Sequence, residues 1–300
     1  MSADEPGQRS FFKYAAPETA LAILKSQTVR YSSPLCFNDP FDIQTGLHLN
    51  FDIDSLPAKV LDRIQALAMA RENPKVDPDN PWGQIVLKAR EYYPTHGFPR
   101  DRWEQMTAQP FLQLPTEAKT LQVKVKNYWR EMLPRMRVFC VSEDRDNLLM
   151  WVHYAKDHSG VVFEFLSLPQ EDNPLSVARR VHYVDSPPSF YTEAEWVDDI
   201  LTIHEFDHRE LSRRYVYFKS AHWSYEREWR TWYLSSPASE GHYDDMPIRK
   251  SELAAVYIGC KAEASFAESV ISLTRASFPN AKLYRASRGE DAYALEYKEI

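Results

Sequence analysis

The sequence predicts an α+β fold, a mixed and mostly antiparallel sheet core with a helical insertion, and three observations carry the prediction. Short β-branched and aromatic runs come in groups instead of alternating regularly with helices, the pattern of α+β and not of a doubly wound sheet. Residues 52–134 change character: apolar positions recur at helical spacing in 56–70, 82–92 and 116–132, separated by linkers rich in Pro and Asn. The 8 glycines never fall at G-x-G spacing. A Rossmann fingerprint or Walker loop, which needs clustered glycines to bring backbone N–H groups to phosphates, is therefore excluded. Any dinucleotide must be held by side chains. At 300 residues and 44% hydrophobic, the chain has ample core for one domain over 1–300.

Taken in order, residues 1–8 (MSADEPGQ) are expected to be a disordered tail, and 11–14 (FFKY) a strand. A helix follows over 15–27, with Pro17 in its first turn and Leu21 and Leu24 at helical spacing. Residues 28–32 (TVRYS) return to strand and run into SPLCFNDPFD, where Pro34 and Pro40 enforce an ordered turn. There Asn38 and Asp39 cap local backbone N–H groups or face a ligand. After the helical insertion, 138–142 (VFCVS) is a strand with Val138, Cys140 and Ser142 on one face. Asp146 is expected to cap a helix running to Lys156, stopped by Gly160, and 161–165 (VVFEF) is the next strand. A short strand at 181–184, a long charged helix over 192–214 and a closing β-α-β-β unit, 254–259, 263–277, 281–287 and 292–297, complete the chain.

Composition bounds the function. No run reaches the eighteen apolar residues of a membrane helix, and the N-terminus lacks the basic and apolar regions of a signal peptide, so a cytoplasmic protein with no membrane partner is expected. Cys36, Cys140 and Cys260 are widely spaced and never paired as C-x-x-C. They are expected to be buried thiols, with neither a disulfide nor a zinc knuckle. A net charge of -7 argues against non-specific coating of nucleic acid. The local excess of bases between Lys119 and Arg137 reads as a solvated helix face.

The densest chemistry lies in 219–234, KSAHWSYEREWRTWYL. From Glu226 onward the residues alternate as in a strand. Glu226, Glu228, Arg230 and Trp232 share one face, and the rise per residue puts the two carboxylates roughly 6.5–7 Å apart. Such a pair is either a site or a salt-bridged rim. His153, four residues before Asp157, offers a further acid/base pair or a plain helix-surface contact.

Three segments, YSSPLCFNDPFD (31–42), FCVSEDRDNLLMWVHYAKDHSGVVFEF (139–165) and KSAHWSYEREWR (219–230), together and in this order resemble the signatures of DUF2971, a large, mostly bacterial family of uncharacterised function. The layout is also similar to the three-part site of ADP-ribosyltransferases. In that family a late Glu engages the nicotinamide-ribose hydroxyl and stabilises an oxocarbenium-like centre, a Ser orders the site, and an N-terminal His, Arg or Tyr holds NAD. The resemblance implies an ADP-ribosyltransferase-like fold and NAD as a substrate. It implies Glu228 as the catalytic acid of the E226-R227-E228 triplet with Glu226 beside it, Ser142 as the central Ser, and Lys13 or Tyr14 at the first position, with Arg30 as a substitute. The sequence departs from that pattern in lacking a Ser-Thr-Ser triplet and the first-strand His. Trp151, Tyr154, Trp223 or Trp229 is expected to stack on nicotinamide, the alternative for each being a place in the core, with Asn38, Asp39 and Lys219 completing the cleft. Partners implied are a nucleotide or dinucleotide ligand, a protein or nucleic-acid acceptor and a cognate inhibitor. By analogy with similar families the role is that of a toxin or phage-defence effector.

Two other readings compete. HEFDH at 204–208 is an H-E-x-x-H on an expected helix, the spacing of a zinc metallopeptidase with Glu205 as base, although Asp207 and Glu210 put charge where such helices are buried. In the other reading, the aromatic cleft is a non-catalytic nucleotide- or partner-binding module, with Glu228, Arg230 and Lys219 as a structural ion network.

Overall fold

The computed structural model describes residues 9–46, 48–203, 215–237, 239 and 241–300. The expected tail 1–8, the HEFDH motif at 204–208 and the end of the long helix expected over 192–214 lie outside them. The chain divides into two compact units, one made of Met1–Gln44, Met132–Asp185 and Tyr217–Ile300, the other of Thr45–Glu131 and Ser186–Val216.

The first unit is built on a mixed, mostly antiparallel sheet, as the grouped strand runs predict. Its main path is β12 (Leu295–Glu299), β11 (Lys282–Arg288), β10 (Leu253–Ile258), β4 (Val161–Ser167), β1 (Arg9–Ala15), β3 (Met136–Ser142), β2 (Thr28–Ser32) and β9 (Tyr243–Pro247). Strand β8 (Glu228–Leu234) pairs with β3 and with the short β5 (Arg179–Arg180). A separate parallel pair joins β6 (His182–Val184) to β7 (Phe218–Ser220). Strand alternation sorts side chains to two faces. Phe11, Phe163, Phe165, Phe139, Val141 and Trp229 form one buried cluster with Ala20, Ile23 and Leu24 of α1 (Pro17–Ser26) and Ala267 and Val270 of α7 (Ala264–Ser277). On the opposite face Tyr14, Val162, Ala255 and Tyr257 pack under Met150, Trp151 and Ala155.

The arrangement around β3 decides where a site can form. One edge of β3 is zipped to β8 along its whole length, from Met136↔Leu234 to Ser142↔Glu228. Along the other edge, among the described residues, β1 meets β3 at Phe12↔Ser142 alone and β2 meets it at Ser32↔Val138 alone. Strands β1 and β2, joined by α1, therefore diverge along that edge and leave a fork in the sheet. The ammonium of Lys13 occupies it, donating to the Cys140 carbonyl at 2.9 Å and standing 5.2 Å above the Phe139 ring.

Several local expectations are corrected. The helix after β3 is α5 (Leu148–His153), and its cap is Asn147, which accepts from Leu149 N and Met150 N; Asp146 is not the cap. It ends at His153, with Tyr154 as its C-cap, and does not reach Lys156, since Lys156, Asp157 and His158 all have positive φ. Strand β8 begins at Glu228, two residues later than the alternation implies. Glu226 closes a 3-10 turn over Ala221–Glu226, and Arg227, at φ 46°, breaks the register. Strand β9 carries no alternating apolar signal: it is an edge strand, acidic at Asp244 and Asp245, as unpaired sheet edges often are. Cys36 is exposed, contrary to the expectation of a buried thiol.

The second unit is helical. Helix α2 (Leu56–Met69) buries Leu56, Val60, Leu61, Ile64 and Leu67 on one stripe. Helix α3 (Pro81–His96) starts from Asn80, whose side chain accepts from Trp82 N. Helix α4 (Arg100–Met132) is far longer than the 116–132 predicted, running through Pro110 and Pro115 because Trp103, Thr107, Phe111, Leu114 and Ala118 keep one buried stripe continuous across them. Helix α6 (Glu193–Ile200) opens with a capping box between Thr192 and Glu195. Its Asp198 holds Arg63 of α2 at 2.7 Å.

Candidate functional site

Beside the fork, on the face opposite α1 and α7, lies a cavity of about 410 Å³. Its wall takes Phe12, Lys13 and Tyr14 from β1, Arg30 from β2, Asn38 and Asp42 from the following loop, Cys140 and Ser142 from β3, His153 and Tyr154 from the end of α5, and Lys219, Glu226 and Glu228. The structure thus brings together nine of the sequence-derived site residues: Glu228, Glu226, Ser142, Lys13, Tyr14, Arg30, Asn38, Tyr154 and Lys219. Phe12, Ser142 and Glu228 stand in register across three adjacent strands.

Ser142 is a fastener. Its Oγ donates to the Glu226 carbonyl at 2.7 Å and accepts from Asp144 N at 3.0 Å, joining the end of β3 to the turn before β8. Tyr14 donates to the Asp144 carbonyl at 2.8 Å, so the same loop is fixed from β1. Asn147 donates to the Tyr225 carbonyl at 2.7 Å and ties α5 to the turn that carries Glu226.

The carboxylates form one buried network. Arg230, fully buried, donates through Nε and Nη2 to the two oxygens of Glu228 at 2.7 and 3.0 Å, and through Nη2 to Asp42 Oδ2 at 2.6 Å. Lys219 Nζ reaches Glu228 Oε2 at 3.0 Å, Asp42 Oδ2 at 3.4 Å and, closest of all, Glu226 Oε2. Tyr154 donates its hydroxyl to Glu226 Oε1 at 2.5 Å. Three carboxylates thus share two cations, which leaves one unit of negative charge against the cavity when all are ionised. Asp42 Oδ1 is buried without a hydrogen-bond partner among the described residues. Its neighbour Ile43 sits at φ 60°, unusual for a β-branched residue, inside a tight turn closed by Gln44 N to the Asp42 carbonyl. Strained backbone of this kind persists where the surroundings over-determine it.

The environments of the two glutamates diverge. Burial opposes ionisation of Glu228, but Arg230 and Lys219 outweigh it and hold its carboxyl well below the usual range. For Glu226, burial wins over Lys219, helped by the adjacent Glu228, and its carboxyl is pushed up. Two carboxylates kept apart in this way are suited to different roles, one a fixed anion and the other a proton carrier. Burial also raises Tyr154 and the Cys140 thiol, which stay protonated. Lys13, half-buried, has no carboxylate in ion-pair distance among the described residues, unlike Lys219 and Arg230.

Other sequence-derived residues stand apart from the cavity wall. Trp151 is fully buried in the core, its indole N–H donating to the Arg145 carbonyl at 3.0 Å and its ring against Tyr14 and His158. Asp39 is buried in an Asx turn, accepting from Phe41 N at 2.8 Å. Trp223 is half-buried, with the Lys219 ammonium 5.2 Å over its ring. Arg30, though in the wall, is held by Asp245 at 2.9 and 3.0 Å. The sequence reading missed Asp42 as a member of the site. Its only signal was its place at the end of NDPFD, since a contact spanning 188 positions to Arg230 leaves no local trace.

No curated protein and no solved structure matches the chain. The stretch that supplies Tyr154, Lys219, both glutamates and Arg230, residues 150–231, matches the model of the DUF2971 family, described as a protein of unknown function.

Proposed function

We propose that this protein is an ADP-ribosyltransferase-like enzyme that uses NAD as a substrate. The observation that supports it is the in-register row of Phe12, Ser142 and Glu228 across β1, β3 and β8 beside one cavity. Breaking the N-glycosidic bond of NAD builds positive charge on the ribose, and preorganised negative charge in a water-poor cleft stabilises it. With Glu226 ionised, the network of Asp42, Glu226 and Glu228 around Lys219 and Arg230 carries one negative charge there. Glu228 acts as the fixed anion. Glu226, with Tyr154 on its other oxygen, takes the proton of an incoming nucleophile. Lys13, free of carboxylates, faces the phosphates, and Ser142 holds the Glu226 turn in place. A toxin or phage-defence role belongs to this reading by analogy alone.

The test is release of nicotinamide from NAD by the purified protein, with a thermal-shift titration of NAD alongside. Wild type is expected to release nicotinamide and to be stabilised by NAD, and Glu228→Gln to lose turnover by at least about 100-fold, the scale of one lost electrostatic group. A folded wild type that is neither stabilised by NAD nor releases nicotinamide sinks the proposal. A second reading, a non-catalytic binding module, is favoured by the two-point hold of Arg230 on Glu228. It predicts ligand stabilisation with no nicotinamide release.

A further inference from the structure

We propose that the helical unit carries a binding site of its own, a groove between α3 and α4 that takes a planar aromatic ring bearing an acidic group. The groove has a volume of about 360 Å³, within the range of small-molecule sites. Helical spacing builds it. Lys88, Tyr92 and His96 recur at every fourth residue along one side of α3, and Arg102, Trp103 and Met106 come from the first two turns of α4. All of these residues belong to the helical unit, so the site draws on nothing in the sheet cavity and does not depend on the NAD reading.

The rings are held before any ligand arrives. Tyr92 and His96 stack with centroids 4.1 Å apart and planes 16° apart, and Phe98 of the connecting turn stacks on Trp103 at 5.3 Å and 8°. Trp103 also meets Tyr92 edge-on at 6.1 Å, which ties the two pairs together. Trp103 is buried and therefore fixed, while Met106, 61% exposed, sets a polarisable thioether beside it. A wall ordered in this way loses little further freedom when a flat ring settles on it.

Charge decides which ring. Lys88 and Arg102 are both exposed, and neither has a carboxylate in ion-pair distance among the described residues. Arg102 is oriented without being neutralised: its Nη1 donates to the Tyr92 hydroxyl at 2.7 Å, and its guanidinium lies 5.3 Å from the centre of that ring. The acids Asp101 and Glu104 of α4 do not line the groove, and Glu104 is held by Arg100 at 3.1 Å. Glu91 is the one acid in the wall among the described residues, so Lys88 and Arg102 leave the groove a net positive charge. A guanidinium fork accepts a carboxylate or a phosphate in two-point geometry, and an ammonium beside it adds a point charge. An uncharged ring leaves both cations without a partner, and an anion without a ring leaves the aromatic wall uncovered.

The experiment is calorimetric titration of the full chain, without NAD, with 1-naphthyl phosphate and with 1-naphthoate, the pair that tells a phosphate source from a carboxylate one. Uncharged 1-naphthol and inorganic phosphate are the comparison probes. The tighter of the two naphthyl anions is expected to bind at one site, at least tenfold more tightly than either comparison probe. The double variant Lys88→Gln, Arg102→Gln is expected to weaken it tenfold or more, and Glu91→Gln, which removes the opposing charge, to tighten it. Lys88 makes no side-chain hydrogen bond or ion pair among the described residues; Lys88→Gln alone is thus expected to melt with wild type and still to weaken binding about threefold. The double variant Lys119→Gln, Lys124→Gln, which removes the same charge from exposed positions elsewhere on α4, is expected to leave binding unchanged, as is Lys13→Ala in the sheet cavity. Naphthol binding as tightly as both anions, or equal binding by wild type and the Lys88, Arg102 variants, overturns the proposal. So does loss of binding in Lys13→Ala, since the sheet cavity would then be the place occupied. Failure of the NAD reading shows only in the nicotinamide assay, so the two fail separately.

Discussion

Replacing Arg230 with Met probes the network at its least replaceable member. The guanidinium is fully buried and bonded to Glu228 and Asp42, which are themselves buried. Deleting it leaves three buried carboxylates around Lys219 alone. Removing one partner of a buried ion pair costs about 3–5 kcal/mol, because the stranded charge keeps its desolvation penalty. Met fills much of the stem volume, so little of that cost is cavity. At about 2–4 °C per kcal/mol for a unit of this size, the melting temperature should fall on the order of 6–20 °C. Urea unfolding followed by fluorescence, run on Arg230→Met, Glu228→Gln and the double variant, supplies a double-mutant cycle. The double variant should be less destabilised than the sum of the singles, because Gln no longer needs the guanidinium. Arg230→Met stability within about 1 kcal/mol of wild type at pH 7.5, or strict additivity, refutes a network held together by this residue.

Four further outcomes follow from the same geometry. Glu226 has a folded-state carboxyl pushed above its unfolded value, so its contribution is present below the unfolded pKa and is lost as pH rises through the folded one; Glu226→Gln should therefore gain stability relative to wild type as urea unfolding is moved from pH 4.5 upward, and a flat difference contradicts the raised carboxyl. Glu228 has the opposite sign, contributing above its unfolded pKa and losing that contribution as pH falls below about 4; acid unfolding of Glu228→Gln should accordingly be shallower than wild type in that range. Ser142→Ala strands Asp144 N and the Glu226 carbonyl and should cost about 1–3 kcal/mol by thermal or chemical melt, with kcat falling more than KM rises if its role is positioning. Gly160→Ala would place a Cβ 2.1 Å from the Ala15 carbonyl oxygen; the backbone must move, and a loss of about 1–3 kcal/mol is expected.

Much of this was legible in the sequence because it is local. The strand runs at 28–32 and 138–142 and the helix between 15 and 27 have strong periodic signals, Ser142 is marked as the last residue of its strand, and Glu228 by the E-x-E resemblance. Strand alternation put Glu228 and Arg230 on one face, and they do share it. It failed at Glu226, where Arg227 takes a left-handed conformation that nothing in E-R-E announces. Helix boundaries are misread at 110–115, where two prolines argue for a break that a buried stripe overrides. Trp151 illustrates a different limit. An aromatic near a cleft is equally suited to stacking on a ligand or filling a core, and the choice is made in large part by Tyr14, distant in sequence, against which the ring packs. The fork at β3 is the least legible feature, because it depends on where β1 and β2 stop pairing and not on what they contain.

The most direct test of the central claim is calorimetric titration of NAD into wild type and into Lys13→Ala. Saturable one-site binding to wild type is expected, with an affinity at least tenfold weaker when the lysine in the sheet fork is gone, both proteins melting alike. No heat with wild type, or identical isotherms for the two, would contradict it.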